Sequence, residues 1–237
     1  MKKNLLLTAA FTLALFCFTN ILKATNPPNG NCGKVIEFKK DDNSNAVVSG
    51  KSFKIDGQYT ISGWFKTDIK IPQCLVFIHR EFWITQEAFN VRINAEGKLS
   101  VLHNSSGSVS LTSTSVVNNN QWHHYSVVKT ADSLFLYVNG IKEARAYSNR
   151  YINNLIVTVL NLGLHKDWDE YEGWMDDFSI FKRALSSEEI QDLMQNQLQG
   201  NEANLLLYYD FNEYEEDVTF FDKSVNKINA GFYFACF

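Results

Sequence analysis

The fold is decided by residues 133–141, which read SLFLYVNGI. Six residues rich in apolar and aromatic side chains run directly into Asn139-Gly140 and then Ile141. Asn-Gly supplies both positive-φ positions of a type I′ turn, the strongest short signal for a β-hairpin. This stretch therefore predicts two antiparallel strands joined by a tight turn.

Further strands are predicted along the rest of the chain, where apolar and β-branched runs alternate with turn signals. In Phe89–Ile93 the apolar side chains of Phe89, Val91 and Ile93 share one face, as period-two alternation requires. Residues 95–98 (AEGK) form a second hairpin turn between that strand and the next. The predicted strands are residues 35–38, 59–65, 75–79, 89–93, 99–103, 124–128, 134–138 and 155–162. Many short strands at this spacing predict an all-β, two-sheet antiparallel sandwich of the jelly-roll type.

One helix is predicted within this β pattern, over residues 186–199. Ser186 and Glu189 have the spacing of a capping box, which satisfies free N–H groups at a helix start. Apolar residues at positions 190, 193, 194 and 198 fall on one narrow face, and Gly200 is placed to end the helix. We expect a single amphipathic helix lying against a sheet.

Composition excludes several classes of protein. The chain has 237 residues, of which 45% are hydrophobic and 14% aromatic, and its net charge is −4. This is too apolar and too weakly charged for a disordered chain. Lys and Arg are scattered and outnumbered by acids, so no basic stripe is available to neutralise nucleic-acid phosphates.

The first segment predicts export. Lys2 and Lys3 precede an apolar run over residues 5–18, and the small residue Ala24 follows. A basic start and an apolar core of this length are typical of a secretory signal peptide. We expect residues 1–24 to be that signal, with an uncleaved membrane anchor as the alternative. Residues 25–237 then form a single extracytoplasmic domain, in the periplasm or at the cell surface.

Export permits disulfides. Three cysteines remain after the signal: Cys32, Cys74 and Cys236. Because the termini of domains often lie close together, we expect Cys32 and Cys236 to pair, which leaves one thiol over. Three buried, reduced cysteines are the alternative.

Several of these segments, taken in order, resemble the laminin-G-like, concanavalin A-like jelly-roll family. Residues 121–127 (QWHHYSV) and the following hairpin resemble its central strands, and residues 61–66 (ISGWFK) resemble an early Trp-bearing strand. Residues 173–181 (GWMDDFSIF), with the helix, resemble its closing signature. Strands within residues 204–237 resemble those that flank such domains. The resemblance implies the fold, whereas a fold shared by many functions says little about activity.

The resemblance also implies a structural calcium site in several members of the family. Of its two acidic positions, the closing one is filled by Asp176 and Asp177. The first departs from the family pattern, because Lys39-Lys40 stand where the family often has Asp-Gly and Asp41 and Asp42 come later. Asp42 and Asp176 are the candidate metal ligands. The two lysines would oppose a cation there. The alternative is that Asp176 is a carboxylate that accepts backbone N–H bonds and needs no metal.

Catalysis is not expected. Endoglycosidases of this fold carry Glu-x-Asp-x-x-Glu or a close variant, and the nearest acidic stretch, residues 169–176, lacks that spacing and has the composition of a solvated loop. His123 and His124 match a structural family pattern, and we expect one to be packed and the other to lie at the surface.

Binding is the remaining hypothesis. Trp64 and Trp122 match core positions of the family. Sugars are held by aromatic faces together with polar side chains that bond their hydroxyls. Trp83, Trp168, Tyr171 and Trp174 fall in segments predicted to be loops or strand ends, where their rings can meet a ligand. Asn90 and Arg92 alternate with the apolar side chains of residues 89–93, so we expect them to line an exposed sheet face. These six are the candidate glycan-binding residues. We therefore expect a secreted, non-catalytic module that binds carbohydrate. An extracellular adhesion or protein-interaction domain is the first alternative, and a glycoside hydrolase the second.

Overall fold

A computed structural model describes residues 34–39, 46–47, 52–79, 89–104, 108–149, 155–157, 159–163, 170–213 and 219–232. The predicted signal (1–24) and Cys32, Asp42, Trp83, Trp168 and Cys236 lie outside these residues. The elements are β1 Ile36–Phe38, β2 Ala46–Val47, β3 Phe53–Ile55, β4 Tyr59–Lys66, β5 Gln73–His79, β6 Phe89–Ile93, β7 Lys98–Asn104, β8 Ser108–Val116, β9 His123–Lys129, β10 Ser133–Val138, β11 Ile141–Tyr147, β12 Leu155–Val157, β13 Val159–Leu162, β14 Gly173–Phe181, α1 Ser187–Gln195, β15 Leu205–Tyr209, β16 Thr219–Phe220 and β17 Ala230–Phe232.

The strands form two large antiparallel sheets, which confirms the predicted all-β class. A seven-stranded sheet has the order β1-β14-β4-β9-β10-β11, and β15 also pairs with β14. An eight-stranded sheet has the order β16-β17-β2-β13-β5-β6-β7-β8, and β12 and β3 form a separate pair. Residues 121–140 and 173–181 therefore belong to the same sheet, with β4 between β9 and β14.

The main core lies between the two large sheets. It takes Ile61 and Phe65 from β4 of the seven-stranded sheet, and Val91 and Val101 from the eight-stranded sheet. Apolar residues alternate along these strands, so burying one face of each sheet satisfies both.

A third layer covers the other face of the seven-stranded sheet. Ile190 of α1 packs with Val128, Tyr137 and Phe181, while Met194 packs with Trp64 and Trp122. The two tryptophans are buried, but beneath the helix and not between the sheets. No helix among the described residues is long and apolar enough to cross a bilayer.

Both predicted hairpin turns are confirmed. Asn139 and Gly140 have φ values of 50° and 75°, and Val138 pairs with Ile141 across them. Gly97, with φ of 74°, lies in the turn that brings Ile93 opposite Leu99. Positive φ at these positions favours glycine and asparagine, which is why the sequence signal was reliable.

Two predicted boundaries are wrong. Residues 155–162 form two strands instead of one, because β12 pairs with β3 while β13 pairs with β5 in the eight-stranded sheet. The helix begins as predicted, since the Ser186 capping box is present, but it ends at Gln195, where Asn196 turns to an extended backbone. Gly200 therefore does not end the helix.

The sheet edges and the C-terminal segment are fixed by two carboxylates. The Glu143 carboxylate on β11 accepts hydrogen bonds from the backbone N–H groups of Thr114 and Ser115 on β8, at 2.8 and 2.9 Å. It thus joins the edge strands of the two large sheets. Asp222, which is 1% exposed, accepts from the N–H groups of Tyr208, Ser224 and Ile228 at 2.8 to 3.0 Å.

Candidate functional site

Asn90 and Arg92 lie side by side on the outward face of the eight-stranded sheet. Their neighbours Phe89, Val91 and Ile93 on β6 belong to the core between the sheets. Because side chains alternate along a strand, Asn90 and Arg92 project to the opposite face. The alternation in the sequence predicted this shared direction.

The next two strands extend this face with hydroxyl side chains. Arg92 is opposite Ser100 on β7, which is opposite Thr112 on β8. In the adjacent row Asn90 is followed by Leu102 and then Ser110. We call the five polar residues of these rows, Asn90, Arg92, Ser100, Ser110 and Thr112, the polar strip.

The polar strip is exposed at one end and buried at the other. Ser110 and Thr112 are exposed and Arg92 and Ser100 are half-buried, whereas Asn90 is only 4% exposed. The expectation that Asn90 lines an exposed face is therefore wrong in its exposure, although its direction is as predicted. A ligand on this face would meet Arg92 and the hydroxyls first.

Beyond the buried end, the face continues over β5 and β13. Phe77 lies between Asn90 and Asn161 in register, and its ring stacks on His79 with centroids 5.6 Å apart. Asn161 is 1% exposed, and its Oδ1 has no hydrogen-bond partner within the part of the chain that the structure describes. Sequence reasoning missed Asn161 and Phe77. The signal for each is that it lies between two core residues of its own strand, Leu160 and Leu162 for Asn161 and Val76 and Ile78 for Phe77.

Cys74 lies opposite Arg92 on β5 and is completely buried. Burial raises the pKa of its thiol to about 12, and the nearby charge of Arg92 offsets this only in part. A thiol of that pKa is protonated near neutral pH and is not a nucleophile. Cys74 is therefore a packing residue of this face.

Tyr171 does not present its ring to solvent, contrary to expectation. The side chain is 1% exposed and packs edge-on against Phe38. Its hydroxyl donates to the carbonyl oxygens of Lys66 and Trp174, at 2.9 and 3.0 Å. Tyr171 precedes β14, as a loop residue should, but it holds the ends of β4 and β14 together.

Trp174 lies on the other side of the sandwich from the polar strip. It is half-buried, packs against Trp64 and Trp122, and has the Lys66 ammonium 5.2 Å from its ring centroid. The six candidate glycan-binding residues therefore do not form one site. Asn90 and Arg92 share a face, Trp174 lies on the opposite sheet, and Tyr171 is in the core.

Trp83 and Trp168 fall outside the described residues. In the chain, Trp83 lies between β5 and β6, which carry Phe77 and Asn90. Trp168 lies between β13, which carries Asn161, and β14 of the other sheet. Their role stays a prediction.

The acidic pair Asp176-Asp177 lies at a bulge in β14, where pairing with β4 shifts register. Asp176 is 8% exposed, and its Oδ1 accepts the N–H of Asp177 at 2.8 Å, which is the metal-free alternative foreseen for it. Asp177 accepts the Tyr208 hydroxyl. Burial, and then the neighbouring carboxylates, raises the pKa of Asp176, and burial likewise raises that of Asp177.

These carboxylates do not make a complete calcium site. Across the described ranges, no group of three or more His, Cys, Asp or Glu side chains could hold a metal ion. One oxygen of each aspartate is already used within the protein, and raised pKa values disfavour the charged form that calcium needs. With Asp42 outside the described residues, calcium binding stays a prediction.

The two adjacent histidines are both buried, which corrects the expectation of one at the surface. His123 is 7% exposed and bonds Asn119 and Asn139, and its ring lies near Phe65 on the core side. His124 is 2% exposed and packs against Trp64 on the helix side. The third layer, which sequence patterning does not show, covers the second ring.

The model of one protein family, described as the concanavalin A-like lectin/glucanases superfamily, matches residues 40–191. The chain belongs to this superfamily. The resemblance proposed from the sequence is confirmed, and the superfamily match covers β2 to β14, the polar strip and the start of α1. A search of the curated proteins found no match.

Solved structures show the same fold at low sequence identity. A putative carbohydrate-binding protein from Bacteroides ovatus is 15% identical with a TM-score of 0.59, over 83% of this chain and 58% of that one. The CBM40 domain of the Ruminococcus gnavus IT-sialidase, bound to α2,3-sialyllactose, is 17% identical with a TM-score of 0.53, over 68% and 96%. A heptameric pentraxin from Limulus polyphemus is 14% identical with a TM-score of 0.54, over 69% and 84%. The superfamily therefore fixes the fold of this chain and leaves its ligand open.

Proposed function

We propose that this chain is a secreted, non-catalytic domain that binds carbohydrate through the polar strip. The observation that carries the proposal is the strip itself, a guanidinium, an amide and three hydroxyl groups on one outward sheet face in a lectin-type fold. Such side chains bond the hydroxyls of a sugar, and they contribute nothing to the core.

Trp83 and Trp168, which are candidates from the sequence alone, would supply the aromatic part of this proposed site. Trp83 and Trp168 belong to the connections that leave the strands next to the strip, and their faces would stack on the apolar C–H surface of a sugar ring. Two of the similar structures, the Bacteroides ovatus protein and the CBM40 domain, are described as carbohydrate-binding. That likeness supports a binding role for a chain with a matching scaffold.

A hydrolytic role has less support. Glycoside hydrolysis needs two carboxyl groups facing each other across the sugar. The five residues of the polar strip include none, and Asp176 and Asp177 lie on β14 of the other large sheet. We therefore place ligand recognition, and not bond cleavage, on this face.

The test is a glycan array probed with the purified chain, followed by calorimetric titration of each hit. Arg92→Ala should abolish or strongly weaken binding, because the strip loses its only cation. Arg145→Ala is the matched control, since Arg145 is an exposed arginine on β11 of the other sheet. Equal binding by both variants, or an array without hits, would contradict the proposal.

A protein-interaction role is the second candidate, and one observation favours it. The edge strand β11 exposes two large apolar side chains, Ile141 at 64% and Tyr147 at 70%. Exposed edge strands and apolar side chains are where partner proteins dock. A glycan array without hits, together with a partner whose binding is lost in Tyr147→Ser, would select this function instead.

A further inference from the structure

The strands of the eight-stranded sheet carry no acidic side chain. As the structure defines them, β2, β5, β6, β7, β8, β13, β16 and β17 contain no Asp or Glu. Their only Lys and Arg side chains are Lys98 on β7 and Arg92 on β6. The whole chain has 26 acidic against 22 basic side chains, so the positive charge of these strands runs against the composition.

Lys98 and Arg92 project from the same face of the sheet. Leu99 and Val101 on β7 belong to the core, so Lys98 and Ser100 point outward, as Arg92 does. Arg92 is opposite Ser100, which is two residues along β7 from Lys98, and the two cations are therefore diagonal neighbours. Both are half-buried. Side chains of this length can reach one group bound between them.

Two carboxylates come near this face from outside the strands, and both are held by uncharged groups. Glu96, in the turn between β6 and β7, accepts a hydrogen bond from Nδ2 of Asn94 at 2.6 Å. Glu143, on the edge of the other sheet, accepts from the backbone N–H groups of Thr114 and Ser115. These acids are engaged beside the face and do not lie among its outward side chains.

The donors on this face specify the chemistry of the ligand. Guanidinium and ammonium groups donate hydrogen bonds and cannot accept them. Their bonds to an anionic oxygen are shorter and roughly twice as strong as bonds between neutral groups. The hydroxyls of Ser100 and Thr112, in the row of Arg92, can donate to the same anion or bond the hydroxyls of a sugar. A face with two cations and no carboxylate therefore favours a ligand that carries negative charge.

We propose that the ligand of the polar strip is an acidic polysaccharide, with an anionic group of the sugar bound between Arg92 and Lys98. This inference rests on the function proposed for the strip, and it adds Lys98, at the border of the strip, to the binding residues. A carboxylate and a sulfate have the same accepting oxygens and negative charge. The experiment has one arm for each.

The experiment compares charged and neutral forms of the same oligosaccharide by calorimetric titration of the unaltered chain. Oligogalacturonate and its methyl ester form the carboxylate arm, and a sulfated galactan oligosaccharide and its unsulfated form make the sulfate arm. In at least one arm we expect the charged form to bind at least about tenfold more tightly. That preference should shrink as NaCl rises from about 0.02 M to about 0.5 M, because salt screens partly exposed charges.

Lys98→Gln tests the position of the anionic group. It removes one cation, so it should weaken the preferred acidic oligosaccharide roughly fivefold. Lys142→Gln is the matched control, because it makes the same change in net charge on β11, the edge strand of the other sheet. We expect it to leave the affinity for the acidic oligosaccharide unchanged.

The outcomes separate this inference from the function on which it rests. Binding of neutral glycans in an Arg92-dependent way, with no preference for the charged form in either arm, would overturn the inference and leave the proposed function standing. A glycan array without hits would remove both. Equal weakening by Lys98→Gln and Lys142→Gln would attribute the preference to the charge of the whole chain and would also overturn the inference.

Discussion

At the scale of single residues, Asp222 holds the C-terminal segment against β15. Its two carboxylate oxygens accept three backbone N–H groups and the Ser224 hydroxyl, all in a buried position. Asp222→Ala leaves these donors without an acceptor, so we expect the free energy of unfolding to fall by about 3 kcal/mol. Urea denaturation measures this. Asp222→Asn, which keeps one accepting oxygen, should lose less, and equal losses would count against this account.

Asp176 makes the stability of the protein depend on pH. Its pKa is raised by burial above the ordinary 3.8, so the folded state holds a proton that the unfolded state releases. Stability from this group is therefore fully present below an ordinary carboxyl pKa and is lost as the pH rises towards the raised pKa. A tenfold difference in proton affinity between the two states corresponds to about 1.4 kcal/mol. We expect Asp176→Asn to unfold less readily than the wild type at pH 7, by at least about 1 kcal/mol.

The measurement is urea denaturation of both proteins between pH 4 and pH 8. The gain from Asp176→Asn should grow with pH, because amide and protonated carboxyl are similar and only the wild type must keep a buried proton. Asp56→Asn is the comparison, since Asp56 is exposed and its pKa is lowered by Lys54. A constant difference across this range would show that Asp176 is ionised in the folded protein.

Sequence patterning predicts the direction of a side chain better than its exposure. The period-two pattern of β6 placed Asn90 and Arg92 on the face away from the core. It could not show that Asn90 is 4% exposed or that Tyr171 is 1% exposed, because burial depends on what packs over a residue from elsewhere in the chain. The same reason explains His124, which α1 covers.

At the scale of secondary structure, Glu143 protects β8, the edge strand of the eight-stranded sheet. An edge strand presents unpaired N–H groups that invite pairing with another chain, and the Glu143 carboxylate occupies two of them on β8. Glu143→Ala should lower the free energy of unfolding by about 1–2 kcal/mol and increase aggregation. Thermal melting with light scattering tests this. Glu143→Gln should lose less stability and aggregate less than Glu143→Ala. An unchanged melting temperature in Glu143→Ala would contradict this account.

Element boundaries were predictable where a local signal sets them. The Asn139-Gly140 turn and the Ser186 capping box act through their own backbone geometry, so both appear where the sequence places them. The division of residues 155–162 into β12 and β13 has no such signal. It follows from two different partners, β3 and β5, which are distant in sequence.

At the scale of the whole molecule, the predicted Cys32–Cys236 disulfide can be tested by counting the free thiols. Cys74 is buried and free, so a Cys32–Cys236 bond would leave it as the single thiol of residues 25–237. We expect thiol titration in denaturant to find one thiol without reductant and three after reduction. Closing a loop of about 200 residues stabilises by about 5 kcal/mol, so Cys32→Ser should lower the melting temperature markedly. Three thiols without reductant would rule the bond out.

The two-sheet architecture was predictable from strand number and turn chemistry, whereas the position of the helix layer was not. The apolar face of α1 indicates that the helix packs on something, and the sequence does not state on which side of which sheet. Trp64 is an example. Its match to a core position of the family correctly predicted that it is buried, but did not show that it lies under the helix or that its indole nitrogen is unpaired.

The strands that follow α1 determine where a recombinant fragment of this protein can end. β15 borders the second half of β14, and β17 borders β2, so each large sheet is completed by chain beyond residue 191, where the superfamily match stops. In a fragment of residues 40–191, the edge of β14 from Phe178 to Phe181 would lack its partner strand β15. We expect such a fragment to precipitate on expression. A recombinant chain should therefore extend to residue 232 or beyond.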